Sequence, residues 1–368
     1  MSRLLSLKFR FFTFISITML AYVHGYNLNN NYLAPFSMVD EPLTFTAFFE
    51  YLTANGLLRF RIPLLFLISG YLFAYNDQRP YVTTIRKRFK TLVVPYLLWS
   101  ALALLLTFLL QQVPFTAKIV ADSNLDQLGD NRPYTEIGWL GLLQRWVLAP
   151  IDYPLWFIMA LFFYNLIYPF IKWTLAKASY IWLPFTFLIW LSLIQFWMID
   201  GSGLFFFSLG IWLQKNNFSL EKKPSWLSVG VFFILFIGIC VIKTFMAFEL
   251  DPDMFLSRII IALLFRIAVL CGLLSIWYGS DDIVKWAMNR KWFHKLSGYA
   301  FFIFAAHVPL LPYTMHFAMR YVNFLPYYRL TLYLVVPGIM VMLCIIAGSL
   351  LKQYLPKFYL LLTGGRGF

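Results

Sequence analysis

Only four histidines occur among 368 residues, so the choice of general base is narrow. His24 stands about 15 residues into the first apolar run, which at ~1.5 Å per residue places it roughly 22 Å from the cytoplasmic edge. Arg61 lies a few residues into the second apolar run, which enters the bilayer from the opposite side. The two therefore reach similar depth on neighbouring helices. An imidazole that titrates near neutral pH can take a hydroxyl proton, and a guanidinium can hold a developing oxyanion or orient a polar acceptor. Position alone is equally compatible with a histidine hydrogen-bonded inside a bundle and a snorkelling arginine.

The remaining polar candidates are weaker. His307 follows Ser297-Gly298-Tyr299 by several residues in the ninth apolar run, where a packed, hydrogen-bonded role is favoured over direct catalysis. Arg266 lies in the middle of the eighth run, where a charge needs a partner or a water-filled cavity. His294 and His316 fall at run ends and receive no role. The cationic loop 79–90 holds Arg86, Lys87, Arg88 and Lys90 within five residues. Such a loop can hold the phosphates of a nucleotide-bearing donor, but an anchor against anionic lipid needs the same charges. Trp156 reads as an interfacial tryptophan. There is no glycine-rich nucleotide loop, serine elbow or Cys/His cluster. Cys240, Cys271 and Cys344 all sit in apolar runs without metal-ligand spacing, so neither a disulfide framework nor a metal site is expected.

These residues must be carried by membrane helices. The chain is 61% hydrophobic and only 12% charged, against about 25% charged in a typical soluble domain. Its mean hydropathy is +0.72. The expected fold class is all-α: a polytopic membrane bundle of about ten helices forming a single integral membrane domain over 1–368. The apolar segments fall near 9–26, 57–75, 92–111, 155–171, 179–199, 202–214, 226–248, 258–279, 297–318 and 329–351. The sixth is short and carries Gly201, Gly203 and Gly210, which marks it as tilted, broken or thin-walled. With the N-terminus inside, 20 of the 30 Lys/Arg are cytoplasmic, nine are external and Arg266 is within a span. That asymmetry puts both termini in the cytoplasm. It also accounts for most of the net charge of +14 without invoking nucleic acid. Within the external connection 112–153, the pattern Trp139-Leu140, Leu142-Leu143, Trp146-Val147 predicts a helix along the interface.

Several stretches together resemble the membrane-bound acyltransferase-3 family, ten-span proteins that O-acylate extracellular glycans and related acceptors. The first span ends Ala21-Tyr22-Val23-His24-Gly25, and the second reads Phe60-Arg61-Ile62-Pro63-Leu64-Leu65-Phe66-Leu67-Ile68-Ser69-Gly70-Tyr71-Leu72. The third opens with Arg86-Lys87-Arg88-Phe89-Lys90 and continues through Val94-Pro95-Tyr96-Leu97-Leu98-Trp99. Tyr153 to Phe157 and Ser297 to His307 complete the likeness, which covers nearly the whole chain. The family often has a basic residue eleven positions before its first-span histidine; here that position is Thr13, and Arg10 and Lys8 are the nearest candidates.

The resemblance implies an O-acyltransferase of the plasma (inner) membrane with no bound cofactor. Acyl-CoA, most simply acetyl-CoA, is the implied co-substrate, its phosphates held by Arg86, Lys87, Arg88 and Lys90. A carbohydrate or other hydroxyl compound is the implied acceptor, with His24 as base and Arg61 as its electrostatic partner. The bilayer and a glycan synthesis or export machinery are the implied partners, and no nucleic acid is. Two rivals stand beside this reading. One is a secondary transporter or lipid-linked glycan flippase lined by Arg59, Arg61, Arg266 and His307, which requires paired broken helices in two symmetric halves. The other is an inactive family member that serves as a membrane partner.

Overall fold

The computed structural model describes residues 1–26, 34–192, 195–196 and 199–367. The chain is a helical membrane protein, with one two-residue antiparallel hairpin pairing Gln195–Phe196 with Ile199–Asp200. Each of the ten apolar segments is helical over most of its length. The fifth, expected to reach 199, stops at Leu191; residues 193–194 and 197–198 lie outside the described residues.

Among the described residues, seven helices are long and apolar enough to cross a bilayer: Arg3–His24, Phe45–Tyr75, Tyr81–Gln111, Tyr168–Leu191, Val229–Glu249, Phe255–Gly279 and Tyr328–Tyr354. The pair Lys291–Ala306 and Leu310–Tyr321, bent by 73° at a short break, is together long and apolar enough for one more crossing. Tyr153–Leu166 and Gly201–Lys215 are shorter apolar helices. Tyr168–Leu191 is kinked at Ala178, whose backbone leaves the helical region; the sixth segment is one uninterrupted helix, and the bent pair falls in the ninth. Pro309 and Pro312 supply the reason, since a proline has no N–H for the helical ladder.

Packing divides the chain into two compact units that alternate along the sequence. The first comprises Met1–Ser16, Leu33–Arg88 and Met159–Ser297; the second comprises Ile17–Tyr32, Phe89–Ile158 and Gly298–Phe368.

In the first unit the helix Arg61–Tyr75 crosses Gly201–Lys215 at backbone contact. A Cβ on Gly70 would lie 2.1 Å from the Phe207 carbonyl oxygen, and one on Gly210 would lie 2.1 Å from that of Leu67. The Ser69-Gly70-Tyr71 step and Gly210 are therefore two sides of one crossing, whereas Gly201 and Gly203 press on Trp190 and Tyr164. Asp77, just beyond the first of these helices, accepts from Tyr168 Oη at 2.6 Å and from Lys172 and Lys215 Nζ at 2.8 Å each. Burial alone would raise its carboxyl, but these three donors win and hold it at about 2. The first helix contributes Lys8, which pairs with Asp281, and Arg10, which bonds Ser297 Oγ and the main-chain carbonyl of His294 at 2.8 Å.

In the second unit the predicted interfacial helix forms over Trp139–Val147, with Trp139 and Leu140 exposed. Arg145 turns inward to Asp126 at 2.5 Å. Ser100 Oγ and Trp146 Nε1 tie this helix to the span Val94–Gln111 through main-chain carbonyls at 2.7 and 2.8 Å.

The basic stretch expected as a loop is helical. Pro80 precedes the helix Tyr81–Arg88, which runs on through a π-helical turn, Phe89–Val93, into Val94–Gln111. Proline is a favoured helix starter, because its missing N–H is one that the first turn leaves unbonded anyway. At 100° per residue the helix spreads the four cations around its circumference. Arg86 and Lys90 share one face, and Arg88 points to the opposite side and packs its guanidinium over the Phe73 ring at 5.4 Å.

Candidate functional site: a histidine pair at a broken span

The second unit brings together three residues that are far apart in sequence. His24 ends the helix Arg3–His24, and Gly25 follows it directly. A side chain at residue 25 would press to 2.6 Å from Pro337 Cγ, so glycine permits the helix end to sit against Tyr328–Tyr354. Tyr22 Oη donates to the Leu334 carbonyl of that same helix at 3.4 Å. His307 is fully buried at the bend of the broken span, between Ala300–Ala306 and Leu310–Tyr321. The two imidazoles meet through His24 Nδ1 and His307 Nε2 at 3.0 Å, with ring planes 6° apart. The Tyr153 ring packs edge-on against His24 at 4.8 Å between centroids.

The hydrogen bonds decide where the protons sit. His307 Nδ1 lies 3.0 Å from the Ile303 carbonyl oxygen and 2.9 Å from that of Phe304. Carbonyls only accept, so Nδ1 carries the proton. In the neutral ring Nε2 is then an acceptor, and it takes the proton of His24 Nδ1. Only one arrangement of a neutral pair satisfies all these contacts, and it makes Nε2 the unprotonated nitrogen of His24. A base oriented by a second group that fixes its tautomer is the logic of nucleophile-activating triads. His307 is packed and hydrogen-bonded, as expected, and one of its bonds goes to His24.

The other expected site residues fall elsewhere. Arg61 is buried, as the first residue of Arg61–Tyr75 in the first unit, so the structure does not gather it with His24 into one compact unit. Arg86 and Lys87 are exposed and Arg88 half-buried in the first unit, while Lys90 is exposed in the second. Arg266 donates from Nε to the Trp190 carbonyl at 2.9 Å and packs its guanidinium over the Trp190 and Phe265 rings at 5.2 and 5.0 Å. Trp156 reads from the sequence as interfacial, but it is Tyr153, three residues earlier, whose ring packs on His24. The adjacent Pro154, which fixes the start of the turn Tyr153–Leu155, was the available signal.

The fold defines a multi-pass membrane protein, with a hydrogen-bonded histidine pair among its helices. Sequence comparison makes this specific: the profile of the acyltransferase-3 family, an acyltransferase domain, matches residues 11–351. The chain belongs to that family. It is 24% identical over 326 residues to the succinoglycan biosynthesis protein ExoH of Rhizobium meliloti (strain 1021), covering 85% of this chain and 80% of the relative. No solved structure matches the chain.

Proposed function

We propose that the chain transfers an acyl group, most simply acetyl, from acyl-CoA on the cytoplasmic side of the plasma (inner) membrane to a hydroxyl of an extracytoplasmic glycan or related acceptor. The observation that carries the reading is the histidine pair, in which a neutral His24 donating from Nδ1 to His307 has Nε2 as its unprotonated nitrogen. In the proposed step, that nitrogen removes the acceptor's hydroxyl proton as the oxygen attacks the thioester carbonyl. A C–O bond forms, the C–S bond breaks, and the imidazolium returns its proton to the departing thiolate. General-base assistance of this kind is worth about 10²–10⁴-fold in rate. Arg61 is assigned the developing oxyanion on its charge and burial. Arg86, Lys87, Arg88 and Lys90 are assigned the donor's phosphates on their charge and on the cytoplasmic side that the Lys/Arg asymmetry predicts for them.

The acyltransferase family supports the transfer chemistry. The glycan acceptor rests on the relative named for succinoglycan biosynthesis. Mass spectrometry of cell-surface glycans from cells with and without the chain tests the proposal. Loss of a mass matching one acyl ester per repeat is expected; identical glycans in the two strains refute it.

A further inference from the structure

The first unit contains a buried cation that neither the base nor the donor assignment uses. Between the helices Phe45–Tyr51 and Arg61–Tyr75 the chain forms a π-helical turn, Leu52–Leu57. Such turns are rare and are often found at functional sites. Gly56 lets this turn press on Val229–Glu249, where a Cβ would already stand 3.3 Å from that of Cys240. The approach brings Asn55 to Lys243. Lys243 is 0% exposed, and its Nζ donates to the Asn55 carbonyl at 2.9 Å and to Tyr51 Oη at 3.3 Å. It also lies over the Tyr51 ring at 4.5 Å and the Phe265 ring at 5.9 Å. Each of these partners is neutral. Among the described residues no carboxylate, that of buried Glu50 included, is within ion-pair distance of Lys243.

Two neighbours make the surroundings more electropositive. Arg59, one helical turn on from Asn55, donates from its guanidinium to Asn55 Oδ1. That bond settles the orientation of the amide: Oδ1 must face the guanidinium, so Nδ2 faces away with its two donors. Asn55 Nδ2 is buried and has no hydrogen-bond partner among the described residues. The Lys243 ammonium and the unsatisfied amide donor thus both lie at Asn55, and among the described residues no carboxylate pairs with the ammonium. Burying such groups is costly until an anion completes them.

We propose that Asn55 and Lys243, backed by Arg59, bind a carboxylate carried by the substrate. One carboxylate oxygen accepts from Lys243 Nζ and the other from Asn55 Nδ2, a planar two-oxygen match. Lys243 lies six residues before the outer helix end at Glu249, or ~9 Å below it, so the bound group occupies the extracytoplasmic half. The same chemistry suits a uronate of the acceptor glycan or the free end of a dicarboxylic acyl group. That the carboxylate belongs to a substrate rests on the acyltransferase reading; that the site binds one does not.

Thermal unfolding of the purified full-length protein in detergent tests the site, with glutarate, glucuronate, inorganic phosphate and neutral glucose as probes. Glutarate or glucuronate is expected to raise Tm by several degrees, glucose to do nothing, and phosphate to act more weakly. Whichever carboxylate is more effective identifies the source. Lys243→Met is expected to abolish the shift without lowering Tm in anion-free buffer, because a well-packed apolar side chain tolerates that site at least as well as an unpaired charge. A wild-type protein indifferent to both carboxylates, a stronger response to phosphate, or an undiminished shift in Lys243→Met each overturns the proposal. Should Lys243→Met not fold, the wild-type probes alone decide. A carboxylate shift in a protein without transfer activity would retain this site and discard the transferase reading; transfer activity without the shift would do the reverse.

Discussion

Replacing Gly70 with alanine tests whether backbone contact between Arg61–Tyr75 and Gly201–Lys215 holds the first unit together. The added methyl would lie 2.1 Å from the Phe207 carbonyl oxygen, 2.9 Å from its carbon and 3.0 Å from its Cα. Ordinary contact begins at 3.4 Å, so the deficit at the oxygen is about 1.3 Å, and all three neighbours are main chain that cannot swing aside. The helices must separate, at the ~1–3 kcal/mol typical of overpacking, with the lost close packing added. Alanine regains ~1 kcal/mol of helix propensity. The net expectation is a loss of ~2 kcal/mol, read from unfolding midpoints in mixed detergent and denaturant. Gly210→Ala meets the Leu67 carbonyl at the same crossing. Since one substitution already parts the helices, the double variant should cost clearly less than the sum of the singles. Acyl transfer should also fall in Gly70→Ala, because the same helix carries Arg61 at its first position. A loss under ~0.5 kcal/mol, or strict additivity, would refute the backbone-contact account.

Three further outcomes are expected. Asp77 is held at about 2 in the folded protein, below the ~3.9 of an unfolded aspartate. Its stabilising effect is therefore present above pH 4 and is lost as pH falls from about 4 towards 2; Asp77→Asn should lower the pH 7 midpoint by the equivalent of ~2 kcal/mol and flatten that acid limb in melts across pH. Replacing Arg86, Lys87 and Arg88 together by Gln should raise the donor KM more than it lowers kcat, because such charges act through uniform binding; unchanged donor kinetics in a normally inserted protein would leave these residues as lipid anchors. His307→Gln, whose amide can still accept from His24 and donate to a main-chain carbonyl, should keep most activity. His307→Leu should instead lower kcat by about tenfold or more with both KM values unchanged, the loss expected for one orienting hydrogen bond; equal effects of Gln and Leu would reduce His307 to packing.

The apolar segments, their helical state and the interfacial helix Trp139–Val147 were legible because hydropathy and 3.6-residue spacing are local signals. The glycines of the sixth segment were legible as a place of close approach, but their partner was not. Gly70 and Gly210 meet only once two helices 140 residues apart in sequence are packed. The ninth segment shows the opposite failure: its break was written in Pro309 and Pro312 but masked by uniform hydropathy. Basic residues 86–90 resemble a loop by composition, yet Pro80 and the absence of a breaker after it start a helix there. His24 was identifiable from rarity, depth and motif. Its partner was not, because nothing in a sequence states that residues 24 and 307 share a hydrogen bond. Lys243 escaped notice for a similar reason: near a span end it counts as one more external cation, and only tertiary packing reveals that it is sealed.

The central claim is that His24 removes the acceptor's proton, and His24→Gln tests it most directly. Glutamine retains hydrogen-bonding capacity at His307 but takes up no proton at working pH. Acyl transfer from labelled acyl-CoA would be measured for purified wild-type and variant protein, beside their thermal midpoints in the same detergent. The expected result is a loss of about 10²-fold or more in kcat with the midpoint essentially unchanged. Activity within a few-fold of wild type would show that His24 is a packing residue and that the base lies elsewhere.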